Sequence, residues 1–231
     1  MKSLILLLFC SQIAYAQDKK TQRFIEDYLQ VAFWEVQGAN RPLIKWAQEK
    51  QQITYRIVGE HAYLNDKSWK EFITELEKLT GKDIIDTQEA DYDILIFLGE
   101  LNEYARITGS MIPPGASIRF NNWSNRTWNT QYQLQKASYC LVPSKINTTY
   151  EGVYHLKRGF LKSLGILGEI DDQYSIFYKY PSSSSKDLSR LDKRLIKLHY
   201  HDQVVVGSDH STIEKRLYDL PNIEDLAREK L

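Results

Sequence analysis

Apolar residues along this chain recur with two different periods, and the switches between them predict an α+β domain: a twisted mixed sheet preceded by an N-terminal helix. Phe24, Ile25, Tyr28, Leu29, Ala32 and Phe33 fall at helical spacing, which predicts a helix over 19–36 closed by Gly38 and Pro42. From 52 to 58 the period drops to two, with Ile53, Tyr55 and Ile57 on one side of a strand. The helical period returns over 67–79, where Trp69, Phe72, Ile73, Leu76 and Leu79 form a stripe, Asn65 or Asp66 caps it, and Gly81 stops it. A short strand at 83–87 follows, then a continuous apolar run over 92–98 that suits a strand buried on both faces. Residues 109–130 contain Pro113, Pro114 and Gly115 among many Asn and Ser, so they read as a long loop with one edge strand around 117–120. A strand at 137–143, a helix at 150–164 stopped by Gly165, and a helix at 188–200 complete the pattern.

The first sixteen residues have a different character. Lys2, an apolar stretch from Leu4 to Phe9 with Ile13, and Ala14-Tyr15-Ala16 make the three parts of a secretory signal, with cleavage leaving Gln17 first. The run is shorter than the roughly 20 apolar residues a bilayer crossing needs, so no transmembrane segment is expected after cleavage and the protein is expected to be exported, periplasmic or secreted. The expected organisation is 1–16 signal peptide, 17–45 N-terminal helix and linker, 46–220 main domain and 221–231 C-terminal tail. With Cys10 in the signal and Cys140 in an apolar strand, there is no disulfide framework and no Cys-based metal cluster. Lys plus Arg number 30 against 30 Asp plus Glu, so no global field draws the chain to nucleic acid, which is excluded as a partner. The densest basic run, His155-Leu156-Lys157-Arg158, reads as a solvated helix face, with an anion-binding face as the alternative.

Three closing segments carry a resemblance. Phe160-Leu161-Lys162-Ser163-Leu164-Gly165 resembles the end of the metzincin active-site helix, where Leu-Gly follows the second zinc-binding His. Ser175-Ile176-Phe177 is similar to that group's Ser-Ile-Met turn beneath the metal. The stretch 188–200, with its Leu-Ser opening, Asp192, spaced Leu and final Tyr200, is similar to its terminal helix. With Phe in the turn and a Cys strand before the helix, the set is closer still to the exported bacterial family known as domain of unknown function 2927. The match is best over 138–200 and extends back to about Trp46 through the order strand, helix, two strands, edge, strand, helix. The resemblance implies a zincin-like, metzincin-like topology.

A zincin holds its metal with His-Glu-x-x-His on one helix, because imidazoles at i and i+4 share a face and the Glu beside the first activates the bound water. Counted back from Leu164-Gly165, those positions hold Arg158, Gly159 and Lys162. Arg and Lys are donors with no free lone pair at neutral pH, and Gly has no side chain, so the motif is absent. The expectation is a non-catalytic pseudo-metalloprotease without a cofactor that binds a protein or glycan partner. Two alternatives remain. A zinc hydrolase with displaced ligands would draw on Glu151 and His155, at i and i+4, with His199 or His201 downstream. A secreted glycan-binding module would stack sugars on Trp123 and Trp128 in the polar loop.

Overall fold

The computed structural model describes residues 19–33, 35–36, 39–59, 66–180 and 187–229; the expected signal over 1–16, with Cys10, lies outside them, as do Gly38 and Asn65. Helix α1 (residues 19–32) is the amphipathic helix its pattern predicts, and it stops short of 36 because β1 (Glu35–Val36) pairs antiparallel with β2 (Ala39–Asn40). Then come β3 (Gln52–Gly59), α2 (Asp66–Thr80), β4 (Asp83–Asp86), β5 (Ile94–Leu98), α3 (Leu101–Thr108), α4 (Ala116–Arg119), β6 (Asn122–Trp128) and β7 (Leu134–Leu141). The chain continues through α5 (Thr149–Ser163), α6 (Arg190–His199), α7 (His210–Tyr218) and α8 (Ile223–Arg228). The result is an α+β fold around a mixed five-stranded sheet of order β4-β3-β5-β7-β6. Neighbouring strands run parallel except β6, which lies antiparallel to β7 at the edge.

Strand composition follows position in this sheet. Every residue of central β5 is buried, whereas β3 alternates and buries Ile53 and Tyr55. One face carries Ile94, Ile96, Leu98, Tyr139 and Leu141 into the larger apolar cluster; the other carries Leu95, Phe97 and Cys140 into a smaller one closed by Leu101 and Tyr104 of α3. On the larger side, α2 meets α5 through aromatic edges: the Trp69 ring lies 5.5 Å from Phe160, and Tyr55 lies 5.4 Å from the same ring. Phe24, Ile25 and Tyr28 of α1, Ile213 and Leu217 of α7, and Leu226 of α8 join that cluster, so the N-terminal helix shares the core of the main domain.

Two expectations are corrected. The edge strand expected around 117–120 is instead the helical turn α4, and the expected loop contains β6 over seven residues. An edge strand exposes part of both faces, so Asn, Ser, Thr and Arg suit it while mimicking a loop composition. The segment expected as a tail contains α8, with Ile223, Leu226 and Ala227 buried. Among the described residues no helix is long and apolar enough to cross a membrane.

The contact of α1 with α6 holds a closed polar group. His199 is fully buried; its Nδ1 lies 3.4 Å from the Tyr28 hydroxyl, and Lys45 Nζ donates to the His199 carbonyl at 3.1 Å. Its Nε2 has no hydrogen-bond partner among the described residues. Burial, reinforced by the Lys45 ammonium, holds this imidazole well below its ordinary value of 6.5. Below that value the unfolded chain takes up a proton that the folded chain refuses, so stability falls as pH drops from about 6.5, with a slope approaching about 1.4 kcal/mol per pH unit. Asp192 acts in the opposite sense, since burial pushes its carboxyl up from 3.8 to about 6. His199 is therefore isolated by difference: urea unfolding of the wild type and of His199→Asn should give stabilities that converge as pH falls from 6.5 to 5. Parallel curves would show that His199 is not held neutral.

Candidate functional site

Helix α5 carries Arg158, Gly159 and Lys162, and Glu151 and His155 as well; the other two predicted ligands, His199 and His201, lie at and beyond the end of α6. Thr148 caps α5 by accepting a hydrogen bond from the Glu151 amide at 3.1 Å, and Gly165 ends it. At Gly165 φ is +101°, and a Cβ would fall 2.4 Å from the Ile44 carbonyl oxygen, so only glycine suits this stop. Between these ends the helix is buried on nearly all sides, including His155, Lys157 and Arg158. The expected solvated basic face is therefore wrong. Helix α5 runs beneath β7 and is covered by the turns that follow it, which leaves its cations inside the protein.

Buried cations need compensation. Lys157 Nζ reaches Asp187 Oδ1 at 3.0 Å and lies 5.2 Å from the centre of the Phe72 ring. Arg158 donates through Nη1 to the Tyr154 hydroxyl and, at 2.7 Å, to the Tyr178 carbonyl, and through Nη2 to Glu169 Oε1 at 2.6 Å. Lys162 Nζ lies 3.5 Å from the same Glu169 oxygen. Burial, with Arg158 and Arg126 nearby and Glu169 opposing them, brings the Lys162 amine down to about 8.

Arg158, Gly159 and Lys162 line one small cleft between α5 and edge strand β6, together with Asn122, Tyr139, His155, Glu169 and Lys179; its volume is about 150 Å³. Gly159 is closed over by a ring of the sheet. A Cβ on Gly159 would lie 2.4 Å from the ring of Tyr139, whose own burial is almost complete. The floor of the site is the turn 175–177. Ser175 Oγ donates to Asp192, the Ile176 amide donates to Asp192 Oδ2 at 3.1 Å, and the Tyr154 hydroxyl reaches the Ile176 carbonyl at 3.5 Å. Asp192 is also the N3 residue of a capping box with Ser189, so one buried carboxylate ties this turn to the start of α6.

Of the displaced-ligand candidates, Glu151 and His155 come together, with Oε1 and Nε2 3.7 Å apart. Burial lowers the His155 value while Glu151 opposes that effect. His199 lies apart in its closed pocket with Tyr28 and Lys45, and His201 Nδ1 accepts the Gln203 amide. Among the described residues no group of three His, Cys, Asp or Glu side chains is placed to hold a metal ion. Trp123 and Trp128 belong to β6 and pack against opposite sides of the sheet, Trp123 on the smaller cluster and Trp128 on the larger. Cys140 is a free, buried thiol pushed up to about 12, mainly by burial. Glu169, Tyr139 and Arg126 were not among the expected site residues. Glu169 carried one available signal, an acid four positions beyond the Gly165 stop, where a chain leaving the helix can fold back on it.

No protein-family model matches this chain, and no curated protein matches it.

Two opposing effects set the outcome of a substitution at Gly159. Alanine in a helix interior gains about 1 kcal/mol over glycine, whereas overpacking against a fixed ring costs about 1–3 kcal/mol. A contact of 2.4 Å makes the clash dominant. Gly159→Ala should therefore lower unfolding stability in denaturant by about 1 kcal/mol or more, and the same change made in Tyr139→Leu protein should be neutral or stabilising. Equal losses in both backgrounds would show that the ring does not close the position.

Proposed function

We propose that this chain is an exported pseudo-metalloprotease: a zincin-like scaffold that binds a partner through its cleft and performs no metal-dependent hydrolysis. The observation that carries the proposal is the meeting of Arg158, Gly159 and Lys162 in one cleft at the sheet edge, with Tyr139 over the glycine. Support also comes from element order: β3, α2, β4, β5, edge strand β6, β7 and α5 follow one another as that scaffold requires, with α3 and α4 as additions. The full metzincin pattern, His-Glu-x-x-His-x-x-Gly-x-x-His, falls on 158–168. Of its five fixed positions this chain keeps Gly165 alone, and Gly168 stands where the last His would be.

Zinc requires neutral imidazole or anionic ligands with free lone pairs. Arg158 and Lys162 supply only donors, and their positive charges repel a divalent cation, so the donor set does not fit the metal. Export after cleavage near Ala16-Gln17 belongs to the same proposal and is supported by the three-part N-terminal segment.

Elemental analysis of protein purified without chelator, paired with a peptidase assay before and after chelation, tests the proposal. The expected result is zinc far below one equivalent per chain and no chelator-sensitive cleavage. Near-stoichiometric zinc with chelator-sensitive activity would overturn it in favour of a displaced-ligand hydrolase built on Glu151 and His155.

A further inference from the structure

We infer that the groove between α2 and the start of α6 binds an acidic peptide segment that carries an apolar residue. This surface goes beyond the reading above, because none of its lining residues lines the cleft between α5 and β6. The first support is charge. The groove, of about 840 Å³, is lined by Lys67, Lys70 and Lys78 of α2, Lys157 of α5 and Lys193 of α6, set against Glu71, Glu75 and Asp187. Three pairs match part of this charge: Lys67 with Glu71 at 4.0 Å, Lys193 with Glu75 at 2.5 Å and Lys157 with Asp187 at 3.0 Å. Lys70 and Lys78 are exposed and have no acidic partner among the described residues. Five lysines against three carboxylates thus leave two positive charges, both on α2, for a ligand to neutralise.

The second support is shape and the mixture of groups. Positions 67, 71, 74, 75 and 78 share one face of α2. From Lys67 to Lys78 the helix rises about 16 Å, the length of about five residues of extended chain. The floor of the groove is apolar, made by buried Phe72 and Leu188. Lysines therefore alternate with carboxylates along an apolar floor, which suits the carboxylates, amides and apolar side chain of a peptide. A uniformly charged polysaccharide offers nothing to that floor. The third support is an exchangeable partner. Lys157 is 4% exposed, whereas the Asp187 that neutralises it is 73% exposed. A ligand carboxylate can replace Asp187 on an amine already held 5.2 Å from the centre of the Phe72 ring.

Fluorescence anisotropy at fixed low ionic strength tests this with a labelled Glu-Glu-Leu-Glu-Glu peptide and its analogue with Ser in place of Leu. The proteins are wild type, Lys70→Glu/Lys78→Glu and, as a control of equal charge change on α3 and α4, Arg106→Glu/Arg119→Glu, with thermal melts to confirm folding. Saturable one-site binding is expected, about tenfold or more weaker in Lys70→Glu/Lys78→Glu and changed by less than about twofold in the control. Affinity should fall as salt rises, and the Ser analogue should bind more weakly. No saturable binding, equal losses in the two folded variants, or equal affinity for the Ser analogue would overturn the inference. A sulfated oligosaccharide that binds more tightly than the Leu peptide would overturn it as well.

Discussion

A guanidinium buried in the middle of α5 is the constraint on which the rest of this site depends. The burial of Arg158 is tolerable only because Tyr154, the Tyr178 carbonyl and Glu169 surround its guanidinium with acceptors. Each acceptor comes from a different stretch of chain: one from the previous turn of the helix, one from the segment after the 175–177 turn, and one from beyond Gly165. Neutralising one charge thereby folds the chain after α5 back over the helix. The same charge draws Glu169 into the cleft beside Lys162.

The supporting structure makes that arrangement rigid. Asp192 fastens the 175–177 turn to the first turn of α6 through Ser175, Ile176 and Ser189. Gly165 lets α5 end against the backbone of Ile44, and Trp46 Nε1 donates to the Ser163 carbonyl at 3.0 Å. These contacts lie beneath the cleft and involve no metal. The shape of this region is held by the aromatic packing of Trp69, Tyr55 and Phe160 and by the Asp192 network.

Several parts of this were legible in the chain and others were not, for physical reasons. The strand over Ile53, Tyr55 and Ile57, the stripe from Trp69 to Leu79 and the helix ended by Gly165 were readable because each has a strong period and a stop. Strand β6 was not, because its residues are set by an edge position that only pairing with β7 reveals. Helix α3 escaped because it buries only Leu101 and Tyr104, too few to show a period. At the site, counting back from Leu164-Gly165 singled out Arg158, Gly159 and Lys162, which line one cleft. Nothing local pointed to Tyr139 over Gly159 or to Glu169 on Arg158, since both are tertiary contacts. The basic run misled for the same reason: charge suggests solvent, and the acids that permit burial lie elsewhere in the chain.

The central claim is that a cation and carboxylate cluster, together with the Tyr139 ring, occupies the place where a zincin would hold its metal. The most direct test is an anomalous difference map at the zinc edge from crystals grown with excess zinc. The account predicts no peak in the cleft and Glu169 still within hydrogen-bond distance of Arg158. A peak coordinated by His155 and Glu151, with Arg158 displaced, would contradict it.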